Sequence, residues 1–162
     1  AGAQLAMKPW HTREASGLRI DRRGQWWHDG ERIEHPNIVE AFNQGLRVQA
    51  DGRVQLHFGG DWCFVEVDDC AFTVVAVDVS EGERLSVRLS DRTAEWLDTE
   101  SLALDDEGVL TVKVKQGLAR ARCSRDANFQ LSERFEVEAG RLVLRVGERR
   151  WVTPLAAPDQ LT

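Results

Sequence analysis

The sequence predicts an α+β fold made of two tandem repeats, each of mostly antiparallel strands with one short helix, the two packed as one unit. The first observation is a near repetition: residues 48–65 read VQADGRVQLHFGGDWCFV and residues 137–153 read VEAGRLVLRVGERRWVT. The second is alternation. Val54, Leu56 and Phe58 alternate with polar neighbours, as Leu142, Leu144 and Val146 do in the second stretch, the period-two mark of a half-buried strand. The third is punctuation. Each strand follows a turn glycine, Gly52 or Gly140, meets a second turn, Gly59-Gly60-Asp61 or Gly147-Glu148-Arg149, and returns through Trp62 or Trp151. Both stretches read as β-hairpins of the same polarity.

The elements follow in chain order. Residues 1–16 read as an N-terminal tail. The first repeat, 17–71, opens with Ile20-Asp21 before Gly24, then a strand over 25–28 (QWWH) closed at Gly30. Pro36 suits the opening turn of a helix, where its missing N–H costs nothing, and Ile38, Val39, Phe42 and Leu46 share one helical face. The first hairpin completes the repeat. Residues 72–103 hold two connecting strands, FTVVAVDV and RLSVRLS, and a link, WLDTESLAL. The second repeat, 104–155, restarts with Leu104-Asp105 before Gly108, a strand over 109–115 (VLTVKVK), Gly117, and the LARARC strand. Ser124 is its helix cap, with Ala127, Leu131 and Phe135 at every fourth residue. Residues 156–162 read as a C-terminal tail. Tight turns join antiparallel neighbours, and a half of this size buries too little surface alone.

Composition narrows the function classes. The chain has 162 residues, 42% apolar and 30% charged, as in globular proteins. Its apolar runs fall short of the roughly 20 residues that cross a bilayer, and no signal peptide is visible at the N-terminus. A net charge of −6 argues against duplex nucleic acid, whose binding rests on many Lys and Arg contacts to phosphate. The cysteines, Cys63, Cys70 and Cys123, are odd in number and form no CxxC pair. They read as buried thiols of a reducing, cytoplasmic compartment.

The order of Ile20, Gly24, Trp26, His28, Gly30, Ile33, His35, Ile38, Val39 and Phe42 resembles the opening of domain-of-unknown-function family 1285, a bacterial family. Val67-Asp68-Asp69 before Phe72, and Gly117, Leu118, Arg120, Arg125, Phe129 and Leu131, extend the resemblance to roughly residues 17–155. It implies a duplicated α+β core whose second half is similar to pleckstrin-homology folds. It also implies a cleft where the halves meet, for a nucleotide-like ligand, and a part in signal transduction. His35 stands where the family has Arg, and Ala71 where it has Pro.

The site expectations are drawn from the residues. His35 and Arg125 stand at matching places near the two helix starts, and a basic group beside helix N–H donors suits an anion. The alternative is that each anchors a neighbouring carboxylate and so fixes the junction of strand and helix, the reading preferred for His35. Arg120 and Arg122 alternate along a strand and so share a side; with Arg125 they form the densest basic patch. Six Trp accompany no Tyr. Trp26 and Trp27 face opposite ways, so one packs while the other is free to stack on a flat ligand; Trp62 and Trp151 read as packing residues at equivalent hairpins. His11, His28, His35 and His57 show no metal-ligand spacing, and no cofactor is expected. No phosphate loop or nucleophile motif appears. The expectation is therefore a non-catalytic binding or regulatory module, with a small anionic ligand between the halves held by Arg122, Arg125, His35, Arg120 and Trp26. An uncharacterised hydrolase or nucleotide-processing enzyme is the first rival. A protein–protein adaptor or homodimer using exposed strand edges is the second.

Overall fold

The structure, a computed structural model, describes residues 11–157; the expected tails at 1–16 and 156–162 lie largely outside that span. The chain forms two compact units. Of the described residues, the first holds those through Phe72 together with Ser90–Arg92 and Lys115–Arg120, and the second holds the others.

In the first unit, β1 (Leu18–Ile20), β2 (Trp26–His28), β3 (Glu31–Arg32), α1 (Pro36–Gln44), β4 (Leu46–Val48), β5 (Val54–Phe58) and β6 (Asp61–Val67) follow in order. Their strands form a six-stranded sheet, β3-β2-β1-β6-β5-β4. Neighbours are antiparallel except where β1 lies parallel to β6, Arg19 opposite Glu66. Trp26, Phe42, Leu18, Ile20 and Leu56 are each at most 1% exposed and form its core. Residues 11–16 run along β6: the Phe64 amide donates to the Arg13 carbonyl at 2.8 Å, and Ser16 Oγ donates to the Phe64 carbonyl at 2.7 Å.

The second unit takes β7 (Phe72–Val79) from Thr73 onward, β8 (Leu85–Leu89), β9 (Ala94–Trp96), a 3₁₀ turn (Thr99–Ser101), β10 (Ala103–Leu104), β11 (Leu110–Val114) and β12 (Ala119–Cys123) from Ala121 onward. These strands form a sheet ordered β10-β11-β12-β7-β8-β9. After α2 (Arg125–Ser132) come β13 (Phe135–Glu138), β14 (Arg141–Val146) and β15 (Arg149–Ala156), a separate three-stranded meander.

The duplication is plain in the element order: strand, strand, strand, helix and three-stranded meander occur first as β1 to β6 and again as β10 to β15. It extends to single atoms. Asp21 Oδ1 accepts the Arg23 and Gln25 amides, both at 2.9 Å. Asp105 Oδ1 accepts the Glu107 and Val109 amides, also at 2.9 Å. Gly24 and Gly108 take φ +78° in these turns, which favours glycine. An Asn of each helix then reaches the strand that follows. Asn43 Oδ1 accepts from the Trp26 indole at 2.8 Å, and Asn128 Oδ1 from the Leu110 amide at 2.8 Å. Both acceptors serve the second residue after the turn glycine.

Both helices end earlier than their apolar spacing predicts. Leu46 and Phe135, expected on the helix faces, instead begin β4 and β13, so each hairpin is a three-stranded meander. In the first copy the stop falls where the chain approaches its neighbour too closely for any residue but glycine. A Cβ at Gly45 would lie 2.2 Å from the His57 carbonyl oxygen, and the His57 amide donates to the Gly45 carbonyl at 2.8 Å. The two hairpin tryptophans are not equivalent. Trp62 stands opposite His57 and Trp151 opposite Leu144, while Leu56 is the counterpart of Leu144, so the register places them one residue apart. Neither is fully buried.

Candidate functional site

The residues expected to hold a ligand are distributed by the structure over several roles. His35 caps α1: its Nδ1 accepts the Asn37 amide at 3.2 Å. Its counterpart is Ser124, whose Oγ accepts the Ala127 amide at 3.1 Å, so the matching of His35 with Arg125 is one residue out of register. Arg125 is the first residue of α2, exposed and without an ion pair among the described residues.

Arg122 is committed elsewhere. Only 16% of its side chain is exposed; Nε donates to Asp105 Oδ2 at 2.9 Å and a terminal nitrogen to Glu107 Oε2 at 3.0 Å. Two carboxylates already match its charge, so the expected anion contact is replaced by a structural one. Burial pushes the Asp105 carboxyl up, but the Val109 amide, Arg122 and the Glu107 amide outweigh it and bring it down to about 2. In the first copy Trp27 takes the place of Arg122, its indole donating to Asp21 Oδ2 at 2.8 Å. Asp21 is likewise held below its ordinary value: burial raises it, and the Trp27 indole, the Gln25 and Arg23 amides and the Arg19 charge more than offset that. Arg120 alternates with the buried Ala121 on β12, on the side of Arg122.

Trp26 is corrected from ligand platform to core residue. It is 1% exposed, its ring meets Phe42 edge-on at 5.1 Å and its indole N–H is satisfied by Asn43. Of the consecutive pair, Trp27 is the one left half-buried, with the Arg19 guanidinium 5.3 Å over its ring.

An aromatic groove that the sequence reading missed lies within the second unit. Arg84, Trp96, Asp98, Glu100 and Trp151 line a groove of about 360 Å³ floored by Leu85 and Leu97. Trp96 is 47% exposed, and the Arg84 guanidinium lies 4.2 Å over its ring. Arg84 makes no ion pair with a carboxylate among the described residues, and Arg149 lies 5.1 Å from the Trp151 ring. Periodicity could not find this site because Trp96 and Trp151 are far apart in sequence. Its signal in the sequence is Trp96, a Trp that belongs to neither hairpin.

His11, His28 and Asp29 also meet, with their ligand atoms within 4.8 Å of one another. Sequence spacing gave no hint of this group, because His11 lies outside the strand that carries His28. The spacing of the histidines along the chain carries no metal-ligand pattern, and the fold alone brings these three residues together.

No family model matches the sequence, and no curated protein matches it. Among solved structures, the chain is similar to a DUF1285 family protein from Silicibacter pomeroyi DSS-3, with TM-score 0.66 and 24% identity, covering 90% of this chain and 82% of that one. It is also similar to a DUF1285 family protein from Shewanella baltica OS155, with TM-score 0.56 and 18% identity, covering 74% of this chain and 93% of that one. Both support the resemblance read from the sequence, and at these identities what is shared is the fold. Among the described residues, no helix is long and apolar enough to cross a membrane.

Proposed function

We propose that this protein is a non-catalytic binding or regulatory module in bacterial signalling that takes a small, flat, anionic ligand of nucleotide type. The observation that carries the reading is the groove of Arg84, Trp96 and Trp151. Indole faces stack on any flat ring, and an Arg fork pairs with phosphate or carboxylate. The Asp98 and Glu100 carboxylates on the same rim are acceptors for the exocyclic amines of a base. Of the cations expected at the outset, Arg125 is a second anion contact, beside a recess of about 450 Å³ that it shares with Asn128 and Phe129.

The test uses the intrinsic Trp signal. Adenosine and guanosine triphosphates are titrated into wild type, Trp96→Ala and Arg84→Ala, with the nucleotide analysed for turnover. Quenching that both variants weaken about tenfold or more, at roughly 1–3 kcal/mol per stacked ring, with intact nucleotide recovered, supports the module. Product formation overturns it in favour of a hydrolase. A single observation favours the adaptor reading: Phe129, 63% exposed, next to Arg125. If nucleotides give no quenching and a co-purifying protein is released by Phe129→Ala, the adaptor replaces the module.

A further inference from the structure

Two histidines and a carboxylate converge in the first unit, in a place the aromatic groove does not use. His11 Nε2 lies 3.0 Å from Asp29 Oδ2 and 3.1 Å from Oδ1. His28 Nε2 lies 3.8 Å from the same Oδ2, and the two rings meet edge-on with centroids 4.9 Å apart. The imidazole side chains are 6% and 14% exposed, while Asp29 is 41% exposed and opens the cluster to solvent. His28 Nε2 is buried and has no hydrogen-bond partner. A buried polar atom left without a partner costs free energy and points to a water or ion that satisfies it.

The backbone around the cluster fixes it. Asp29 and Gly30 both take positive φ, 48° and 82°, the conformation of a two-residue hairpin turn that favours Asp-Gly. The Asp29 amide donates to the Gly17 carbonyl at 3.0 Å. A Cβ on Gly17 would lie 2.0 Å from Asp29 Oδ1 and 3.4 Å from His11 Nε2, so the glycine keeps this space clear. A hydrogen bond between His11 and Asp29 alone would anchor the chain and explain His11, but it leaves His28 Nε2 without a role.

We propose that His11, His28 and Asp29 form a binding site for a divalent transition-metal ion of borderline softness, zinc foremost, with the solvent side completed by water. Two imidazole nitrogens and one carboxylate are the protein ligands of an open zinc site, whereas magnesium and calcium select oxygen ligands. Ligand atoms around a tetrahedral ion stand roughly 3.3 Å apart when the bonds are about 2.0 Å. The His11–Asp29 pair is already near that separation, and His28 Nε2, 3.8 Å from the same carboxylate oxygen in a set that lies within 4.8 Å, would draw in as the ion binds.

The full chain, without an affinity tag and freed of metal by a chelator, is titrated with cobalt(II) by visible absorption and with zinc(II) by calorimetry. One ion per chain is expected, with cobalt bands that zinc displaces. His28→Gln and Asp29→Asn should each lower affinity beyond the roughly 10–100-fold that loss of an outer partner costs. Asn tolerates the positive φ of that turn, so the second variant keeps the fold if the first does not, and circular dichroism checks both. His57→Ala, an exposed histidine bonded to Gln55, should bind as wild type does. No stoichiometric ion, affinity unchanged in both site variants, or equal loss in His57→Ala would overturn the site. The nucleotide titration is independent of all three outcomes.

Discussion

At the scale of a residue, a carboxylate holds each copy's first turn, and its second oxygen has a different partner in each. Asp21 and Asp105 close the same backbone turn, but the second oxygen meets an indole in one copy and a guanidinium in the other. A neutral donor could be met by any acceptor; the Arg122 charge requires an anion. Asp105→Asn, which keeps an oxygen to cap the turn and removes the charge, therefore isolates what the charge contributes through Arg122 and the two turn amides together. Because Asp105 is held at about 2 against an ordinary 3.8, its contribution is complete above the ordinary value and is lost as pH falls through the lower one. Wild type should exceed the variant by about 2 kcal/mol near neutrality. Urea melts at descending pH should show that gap close between about pH 4 and 2, and a gap constant across that window would separate Asp105 from the acid response. A second residue-scale test concerns Trp26. Trp26→Ala should cost about 3–5 kcal/mol as a buried ring is removed without weakening nucleotide quenching, whereas Trp96→Ala should do the reverse.

At the scale of an element, each helix is a short segment between a capped start and an early stop. Ser124→Ala removes a hydroxyl cap and should destabilise the protein by about 1 kcal/mol, and His35→Ala removes an imidazole cap at a similar cost. His35→Ser should restore most of it, because a hydroxyl accepts the same amide. If Ala and Ser are equally harmful at position 35 in thermal melts, the imidazole has another task. The helix starts were legible in the sequence because a cap and a Pro at the first turn are local signals. The stops were not. Leu46 and Phe135 continue the apolar spacing of their helices, yet the chain turns into a strand after Gly45, where the His57 carbonyl lies too close for a side chain. Such a close approach is set by tertiary contact, which spacing does not encode. Similarly, the alternation of Val54, Leu56 and Phe58 gave the hairpin, but the partner of Trp62 depended on a register one residue from that of Trp151. For the candidate sites, residue type was readable and convergence was not: Arg122 was visible as a cation, while its two carboxylates lie 15 and 17 positions away.

At the scale of the whole molecule, a repeat of strands, helix and meander has been interrupted by β7, β8 and β9, and the insertion changes how the second copy closes. In the first copy β1 joins β6 and completes one sheet. In the second, β12 pairs with β7, while β10 and β15 belong to different sheets. The second meander therefore stands apart as its own sheet, and the second unit gains β9 with the exposed Trp96 that lines the groove. The three thiols report on both units at once. Cys63 and Cys70 belong to the first unit and Cys123 to the second, and each is 3% exposed. Burial pushes the Cys63 thiol up; the Ser16 hydroxyl opposes that and the Asp61 carboxylate reinforces it. A thiol reacts through its thiolate and needs access, so modification must wait for the surrounding structure to open. A chromogenic disulfide reagent near pH 8 should find no thiol reacting on mixing with the native protein, and three per chain in guanidinium. Variants that keep only Cys63 or only Cys123 then time the opening of each unit separately. A thiol that reacts immediately in one of them would show that its unit does not protect its core in solution, and the packing described for that unit would fail.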